Sequence, residues 1–327
     1  MKLPDREDFQ RIYDALQDNV SREIYKHRLL YSLLGDETEI SALADDCLPA
    51  GARVEVGKFC YYGAGMGGLG AIETNRNVPF VVDKYKTGSL LGVPIISLEK
   101  FLTLPNCKDF LVIITVGKPK LRDEILRELS GYGLRCIRGY LGDQYFDLPE
   151  LNLRNEYFVD AGAEDGETSR YFLDHFENGH VYTLEPSPDD FEVTKECLRD
   201  YPQAEVFPCG AYDRNGLMSF DASDAARGSA RISPTGVLQV EVRRLDDLLE
   251  GRKVTFIKMD IEGPELAALR GAEQIIRKQR PKLAICVYHK PEDMWEIPEF
   301  ILRCHPDYRL YLRHYSLCRL ETVLYAL

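Results

Sequence analysis

"FVDAGAEDGETSRYF", residues 158 to 172, places a bend rich in glycine and acid between an apolar run and a helix-like run. The apolar run ends at Asp160, and Gly162 and Gly166 lie in the bend. Glycine lets a backbone turn sharply and come close to a ligand, because it has no Cβ. In open α/β sheets, ligands bind beyond the carboxyl ends of the strands. The segment therefore predicts a buried strand, a ligand-binding loop and a helix.

The alternation of strand and helix continues on both sides of this segment, which predicts parallel sheets. In the second half we predict strands at Tyr157–Ala161, His180–Glu185, Glu205–Cys209, Val254–Asp260 and Leu283–Tyr288. "YRLYLRHYS" and "ETVLYAL" predict an antiparallel pair. In the first half, "KFCYYGAG", "VPFVVDK" and "DFLVIITVG" predict strands, and "KPKLRDEILRELSGYG" predicts a helix.

These patterns predict an α/β chain with two Rossmann-like, doubly wound domains. Residues 1–50 are expected to form a helical segment that acts as a cap or an oligomerisation element, which is compatible with a homo-oligomer. Residues 51–150 are expected to form a nucleotide- or nucleotide-sugar-binding domain. Residues 151–327 are expected to form the catalytic domain, after a polar, turn-rich junction near residue 150.

Composition excludes several classes of partner. The chain has 327 residues and a formal net charge of −12, which argues against a nucleic-acid partner because such binding depends on clustered Lys and Arg. No apolar stretch approaches the length of a membrane span, and the charged start MKLPDREDFQ does not resemble a signal peptide. The nine cysteines contain no C-x-x-C pair. We expect a cytoplasmic protein with reduced thiols.

The strand ends of the second half carry an acidic set. Besides Asp160, the bend holds Glu164, Asp165 and Glu167, which would repel a polyphosphate but would suit the cationic groups of S-adenosylmethionine. The second strand ends at Glu185, a position from which an acid can accept hydrogen bonds from ribose hydroxyls. Pro186, which ends that strand, is expected to border the cofactor, and so are Gly210 and Ala211 after the third strand.

The segment "KMDIEGPE" leads from the fourth strand to Asp260 and Glu262. Together with "FVDAGAEDGETS", "LEPSP", "GAYD" and "RRLDDLL", it resembles the FkbM family of S-adenosylmethionine-dependent methyltransferases over roughly residues 155–327. The resemblance implies a class I methyltransferase fold and methylation of a hydroxyl on a sugar or a polyketide-derived substrate. It also implies that Asp160, Gly162 and Gly166 contact the methionine part of the cofactor, Glu185 the ribose, and Asp260 the reactive methyl region.

Methyl transfer to an unactivated hydroxyl requires removal of its proton. His289 follows the fifth strand, and we predict that its neutral imidazole takes the proton beside Asp260. Glu262, Trp295 and His314 are predicted to contact the acceptor, and Arg227 and Ser229 to border the cofactor or form a lid. Asp160, Asp260, Glu262 and His289 would also suit Mg²⁺, and the sequence does not separate a metal-assisted route from a metal-free one. We assign no metal ligand.

An earlier glycine loop, "CYYGAGMGG", has Gly63, Gly65 and Gly68 in a G-x-G-x-x-G pattern, with Asp83 at the end of the next strand. The region also resembles small nucleotide-binding domains that precede sugar-modifying enzymes. We therefore predict a nucleotide or nucleotide-linked sugar at this loop, with a redox dinucleotide or a ligand-free module as alternatives. For the whole chain we predict an O-methyltransferase of carbohydrate biosynthesis. The alternatives are a non-catalytic nucleotide-sugar-binding or scaffold protein and an NAD-dependent sugar oxidoreductase.

Overall fold

The structure is a computed structural model, and it describes residues 5–36, 38–40, 42–43, 58–74, 77–117, 119–139, 144–221, 231–232, 236–316 and 318–327. The chain divides into two compact units. The main unit comprises Met1–Tyr25, Tyr145–Arg313 and Val323–Leu327, and the insert unit comprises Lys26–Gln144 and His314–Thr322.

These units differ from the domains predicted at residues 1–50, 51–150 and 151–327. The difference at the amino-terminal side has a physical cause, because the first helices pack into the main unit. Phe9 makes an edge-to-face contact with Trp295, with 6.4 Å between ring centroids. Arg313 donates a hydrogen bond to Asp18 at 2.8 Å. Helical residues up to Tyr25 therefore contribute to the core that surrounds the candidate site.

The insert unit contains a six-stranded sheet with the order β3-β4-β2-β1-β5-β6. Strands β1, β2, β4, β5 and β6 run parallel, and β3 pairs antiparallel with β4. Alternate residues of β1 enter different core clusters, with Phe59 and Tyr61 in one and Cys60 and Tyr62 in the other. The sheet is therefore buried on both faces, as expected for a doubly wound fold. Its strands are β1 (Phe59–Tyr62), β2 (Val81–Val82), β3 (Gly88–Leu90), β4 (Val93–Ile96), β5 (Leu111–Ile114) and β6 (Arg135–Arg138).

The main unit is built on a seven-stranded sheet with the order β16-β17-β15-β14-β7-β8-β9. Strands β9, β8, β7, β14 and β15 run parallel, and β17 pairs antiparallel with β15. The strand order reverses between β7 and β14, which is where doubly wound sheets bind ligands. The strands of this unit are β7 (Tyr157–Ala161), β8 (His180–Leu184), β9 (Ala204–Phe207), β10 (Gly210–Ala211), β11 (Gly216–Asp221), β12 (Arg231–Ile232), β13 (Leu238–Arg243), β14 (Phe256–Met259), β15 (Lys282–Cys286), β16 (Leu310–His314) and β17 (Thr322–Ala326).

Local sequence explains where the helices next to the site begin. Gly166 adopts a left-handed conformation at φ 77° and directly precedes α6. Ser187 caps α7 by accepting a hydrogen bond from the Asp190 amide, and Pro188 occupies the first helical position. The helices are α1 (Arg6–Ala15), α2 (Asn19–Leu34), α3 (Met66–Thr74), α4 (Leu98–Leu102), α5 (Pro119–Gly131), α6 (Glu167–His175), α7 (Pro188–Cys197), α8 (Leu245–Leu248), α9 (Glu265–Gly271), α10 (Glu273–Gln279) and α11 (Asp293–Cys304). Short 3₁₀ turns lie at Cys107–Asp109 and Pro149–Leu151.

The predicted α/β fold is confirmed, and the predicted strands of the second half occur within a few residues of their expected positions. The sequence analysis missed a four-stranded sheet with the order β10-β13-β11-β12. The cysteines of the described residues are free thiols. Among the described residues, none of the helices combines the length and the apolar character needed to cross a membrane.

Candidate active site at the strand reversal

The loop after β7 connects the ends of its two neighbouring strands. Gly162 has a φ of 79°, and a Cβ built on it would lie 1.9 Å from the carbonyl oxygen of Asp260. Two residues later, the Glu164 amide donates a hydrogen bond to Glu185 Oε2 at 2.9 Å. Glycine is needed at residue 162 because the loop backbone touches the backbone after β14. This contact brings Glu185 and Asp260 to the same loop.

Asp160, which the family resemblance placed beside the methionine part of the cofactor, lies in a buried hydrogen-bond network. Its side chain is fully buried, and it accepts hydrogen bonds from Lys258 Nζ at 2.9 Å and from Ser169 Oγ at 2.7 Å. Lys258 also donates to the carbonyl oxygen of Gly162 at 2.6 Å. Burial alone would lower the pKa of Lys258, but the charges of Asp160 and Asp260 raise it. Asp160 therefore acts through Lys258 to hold the loop.

Glu185 lies at the end of β8 and is 5% exposed. Its Oε1 accepts a hydrogen bond from the Ser187 amide at 2.8 Å, and its Oε2 accepts the one from Glu164. Burial raises the pKa of Glu185 to about 7, although these two hydrogen bonds favour the ionised form. Each carboxylate oxygen has a further acceptor site. The group therefore fits its predicted role as an acceptor for ribose hydroxyls.

Three acidic residues surround His289 after β14 and β15. His289 Nδ1 lies 2.9 Å from Glu265 Oε1, and its Nε2 lies 3.5 Å from Asp260 Oδ1 and 3.5 Å from Glu262 Oε2. We call Asp260, Glu262, Glu265 and His289 the His289 cluster. The predicted neighbours Asp260 and His289 are thus brought together, and Glu262 is adjacent to both.

Two tyrosines orient the Asp260 carboxylate. Tyr145 Oη donates to Oδ2 at 2.8 Å, and Tyr288 Oη donates to Oδ1 at 3.1 Å. Burial would raise the pKa of Asp260, but the charges of His289 and Lys258 and these hydrogen bonds lower it. Asp260 is therefore ionised at neutral pH and fixed in direction.

The predicted role of His289 as a neutral base conflicts with its surroundings. Burial would lower the pKa of His289, but the charges of Glu265, Asp260 and Glu262 raise it to about 10. The ring is therefore a charged imidazolium at neutral pH in this structure, with both nitrogens protonated, and cannot act as a base. The hypothesis of a neutral base considered only Asp260 beside this histidine, whereas the fold places Glu262 and Glu265 there as well.

Trp295 and His314 are the other two residues predicted to contact the acceptor. Trp295 is 1% exposed within α11 and packs in the core. His314 is buried at the end of β16, and its Nδ1 lies 2.8 Å from Thr322 Oγ1. Burial lowers the pKa of His314 to about 3. Both side chains are buried, and their contact with the acceptor stays a prediction.

The remaining predicted cofactor residues lie close together. Gly210 and Ala211 form β10, and a Cβ on Gly210 would contact the ring of Pro186 at 3.6 Å. Their role beside the cofactor stays a prediction. Arg227 and Ser229 lie outside the described residues.

The glycine loop of the insert unit is a tight strand-to-helix turn. Gly63 has a φ of 111°, and a Cβ on Gly68 would lie 2.0 Å from the carbonyl oxygen of Gly63. Asp83 accepts hydrogen bonds from the backbone amides of Ala64, Tyr85 and Lys86. These contacts stabilise the turn, and nucleotide binding by Gly63, Gly65, Gly68 and Asp83 stays a prediction.

Sequence reasoning missed Lys258, Tyr145, Tyr288 and Ser169. The sequence does mark Lys258 as unusual, because it is a lone positive charge inside the apolar run VTFIKMD. A buried strand tolerates such a charge only with a partner, and β14 pairs with β7 so that Lys258 lies opposite Asp160. Tyr145 lies in the segment that was interpreted as a domain junction, so nothing in the sequence connected it to Asp260.

Comparison with known proteins agrees with this site. Residues 160–316 match the family described as the methyltransferase FkbM domain. This part of the chain is similar to the FkbM methyltransferase family. The FkbM domain includes β7 from Asp160 onward, the candidate cofactor loop and the His289 cluster. The family predicted from the sequence is thus confirmed, and the chain is a methyltransferase.

Two curated relatives match parts of the chain. One is the hexuronic acid methyltransferase AglP of Haloferax volcanii, which is 28% identical over 171 residues, or 46% of this chain and 69% of that protein. The other is the 2-O-methyltransferase NoeI of Sinorhizobium fredii, which is 26% identical over 144 residues, or 37% of this chain and 59% of that protein. The match to NoeI thus spans less than two thirds of its length.

A solved structure resembles most of the chain. The methyltransferase FkbM from Methylobacillus flagellatus KT has a TM-score of 0.50 and 22% sequence identity, and the match covers 90% of this chain and 100% of that one. At this identity the likeness concerns the fold alone. It agrees with the class I methyltransferase fold expected for the FkbM domain.

Proposed function

We propose that the chain transfers a methyl group from S-adenosylmethionine to a hydroxyl of a sugar or glycan precursor. The observation that carries the proposal is the convergence of Glu185 and Asp260 on the loop after β7, within an FkbM domain. The two curated relatives, which are named as a hexuronic acid methyltransferase and a 2-O-methyltransferase, support an oxygen of a sugar as the acceptor.

The residues present fit the cofactor in part. Glu185 keeps acceptor capacity for the ribose hydroxyls, and Pro186, Gly210 and Ala211 lie beside it. Asp160 is fully buried and accepts hydrogen bonds from Lys258 and Ser169, so its carboxylate is not open to a ligand from solvent. We therefore assign Glu185 the direct contact and Asp160 a positioning role.

S-adenosylmethionine supplies a methyl group on a sulfonium, so that a C–O bond forms as the C–S bond breaks and the hydroxyl proton leaves. The chain has to orient that hydroxyl and favour loss of its proton. The carboxylates of Asp260 and Glu262 are partly exposed, at 23% and 25% of their side-chain surface. We assign them the attraction of this proton, because they are the partly exposed carboxylates beside the loop, whereas Glu265 is fully buried.

The test is methyl transfer from labelled S-adenosylmethionine to a panel of hexuronic acids and nucleotide-linked sugars, with mass spectrometry of the products. We expect a methyl ether on one class of sugar. Glu185→Ala should weaken cofactor binding by at least about tenfold in calorimetry, because the ribose hydroxyls lose their acceptor.

Glu192→Gln is the matched control, since Glu192 is an exposed carboxylate of α7, the helix that follows β8 and Glu185 along the chain. It should leave binding unchanged. Cofactor binding that survives Glu185→Ala at full strength would contradict the assignment of this residue, and absence of transfer to every sugar would contradict the proposed acceptor.

A further inference from the structure

Three donor atoms of the His289 cluster face one small space. Nε2 of His289 lies 3.5 Å from one carboxylate oxygen of Asp260 and 3.5 Å from one of Glu262. One ligand atom from each of these three residues can be chosen such that all lie within 4.8 Å of one another. Two donors that each lie about 2.1 Å from one ion are about 3.0 Å apart in octahedral coordination and about 3.4 Å apart in tetrahedral coordination. The spacing fits coordination of a single ion.

The imidazole gives a second observation that is independent of the acidic residues. The side chain of His289 is 9% exposed, and its buried Nε2 makes no hydrogen bond to any residue that the structure describes. Buried polar atoms normally have a partner. Nε2 lies near one oxygen of Asp260 and one of Glu262. A cation bound at this point would take the place of the Nε2 proton, because metal binding to histidine releases that proton.

Neighbouring groups orient these donors as metal sites do. Metal-binding histidines commonly present their second ring nitrogen to a carboxylate, which fixes the orientation of the ring. Nδ1 of His289 lies 2.9 Å from Glu265 Oε1, and Glu265 is fully buried. The carboxylate of Asp260 is also held in place, since the hydroxyls of Tyr145 and Tyr288 donate hydrogen bonds to it.

We propose that Asp260, Glu262 and His289 bind a divalent cation. One imidazole and two carboxylates that are partly exposed to solvent suit Mn²⁺ or Mg²⁺, which also take oxygen ligands from water or substrate. Lys258 does not compete for this position, because its Nζ is bound to Asp160 and Gly162. This assignment revises the sequence analysis, which named no metal ligand.

The catalytic role of the ion rests on the proposed function, because it concerns methyl transfer to a sugar. The binding of the ion to the chain does not depend on that function. A hydroxyl of the sugar that coordinates the cation is oriented by it and loses its proton more readily. The proton passes to a carboxylate oxygen of Asp260 or Glu262, and the oxygen is then ready to form the new C–O bond. The ion thus selects acceptors that present a hydroxyl with a second oxygen close by.

Binding is tested with Mn²⁺ on the full chain after treatment with EDTA, by electron paramagnetic resonance of free Mn²⁺. We expect one tight site per chain in the wild type. His289→Ala and Glu262→Gln should each weaken it by at least about tenfold, and Glu265→Gln by about 10- to 100-fold through loss of ring orientation. Glu262 is partly exposed, so Glu262→Gln should fold even if His289→Ala does not.

His305→Ala is the matched control, because His305 also lies near a carboxylate, at 4.0 Å from Asp307, but follows the carboxyl end of α11 rather than β15. It should leave Mn²⁺ binding unchanged. The proposal would be overturned if Glu262→Gln bound Mn²⁺ as tightly as the wild type does. It would also be overturned if His305→Ala weakened Mn²⁺ binding as strongly as the substitutions in the cluster.

A second readout separates the ion from the proposed function. Methyl transfer that stops in EDTA and returns with Mn²⁺ supports the catalytic role, and transfer that continues unchanged in EDTA overturns it. If Mn²⁺ binds as expected and no sugar is methylated, the proposed acceptor fails while the metal site stands.

Discussion

At the scale of single residues, the Lys258–Asp160 pair is the buried ion pair that holds the loop after β7. Its side chains are 3% and 0% exposed. Removing one partner of a buried pair leaves an uncompensated charge, which typically costs about 3–5 kcal/mol. We expect Lys258→Met to lower the free energy of unfolding by this amount, as measured by guanidinium denaturation.

The double variant Lys258→Met with Asp160→Asn should be destabilised by less than the sum of the two single variants, since no charge is then left unpaired. Additive effects would mean that the two residues do not stabilise the loop as a pair.

Glu185 is the residue whose ionisation should control cofactor binding. Its pKa of about 7 reflects burial, with Asp190 and Lys258 as the charged groups that act on it in opposite directions. An ionised carboxylate accepts hydrogen bonds from ribose hydroxyls better than a protonated one. Affinity for S-adenosylmethionine should therefore fall as the pH drops below 7, by up to about tenfold per pH unit.

Calorimetry between pH 5.5 and pH 8 checks this expectation, and Glu185→Gln should flatten the profile. Asp293 has a pKa that burial likewise raises to about 7, but it lies at the start of α11. Asp293→Asn should therefore keep the wild-type profile. A profile that Glu185→Gln leaves unaltered would assign the pH dependence to another group.

At the scale of elements, two glycines of the main unit allow the cost of left-handed backbone strain to be measured apart from the cost of a steric clash. Gly162 and Gly251 have similar φ values of 79° and 73°. A Cβ on Gly162 would meet the Asp260 carbonyl, whereas nothing lies within 4 Å of one on Gly251. Gly251→Ala should cost about 1–2 kcal/mol from left-handed strain. Gly162→Ala should cost about 1–3 kcal/mol more, because β7 and β14 are forced apart.

The fluorescence of Trp295 measures both variants. It is the only tryptophan of the chain and is buried in the main unit. Equal destabilisation by the two substitutions would show that the loop can move away from Asp260 without loss of packing. Only Gly162→Ala should also weaken cofactor binding.

At the scale of the whole molecule, the sequence predicted those features that depend on local pattern. The strand Tyr157–Ala161 was predicted with the bounds that the structure has, because an apolar run there ends in an unambiguous glycine bend. Asp260 and His289 were predicted as neighbours because both follow central parallel strands. Strands β11 and β13 were missed, since they are largely exposed and carry no apolar run.

Features that depend on packing could not be predicted in this way. The sequence shows an acidic residue at Glu265, but only the structure shows that its carboxylate lies against His289. Trp295 lies in a segment that starts near the site, and only the fold shows its ring turned toward Phe9. The sequence also has no local pattern that shows the insert unit interrupting the main unit. Residues 1–25 and 145–313 belong to one unit only in the folded chain.

Strand β17 lies inside the seven-stranded sheet, between β15 and β16, although it is formed by residues 322–326. During synthesis, the ribosome therefore releases every strand around the cofactor loop before it releases the strand that covers the edge of β15. Until then, the nascent sheet exposes an unpaired edge next to Cys286 and Ile285, a surface to which chaperones or another nascent copy could attach. The interval between synthesis of β15 and synthesis of β17 is thus the period in which the main sheet is open to wrong pairing.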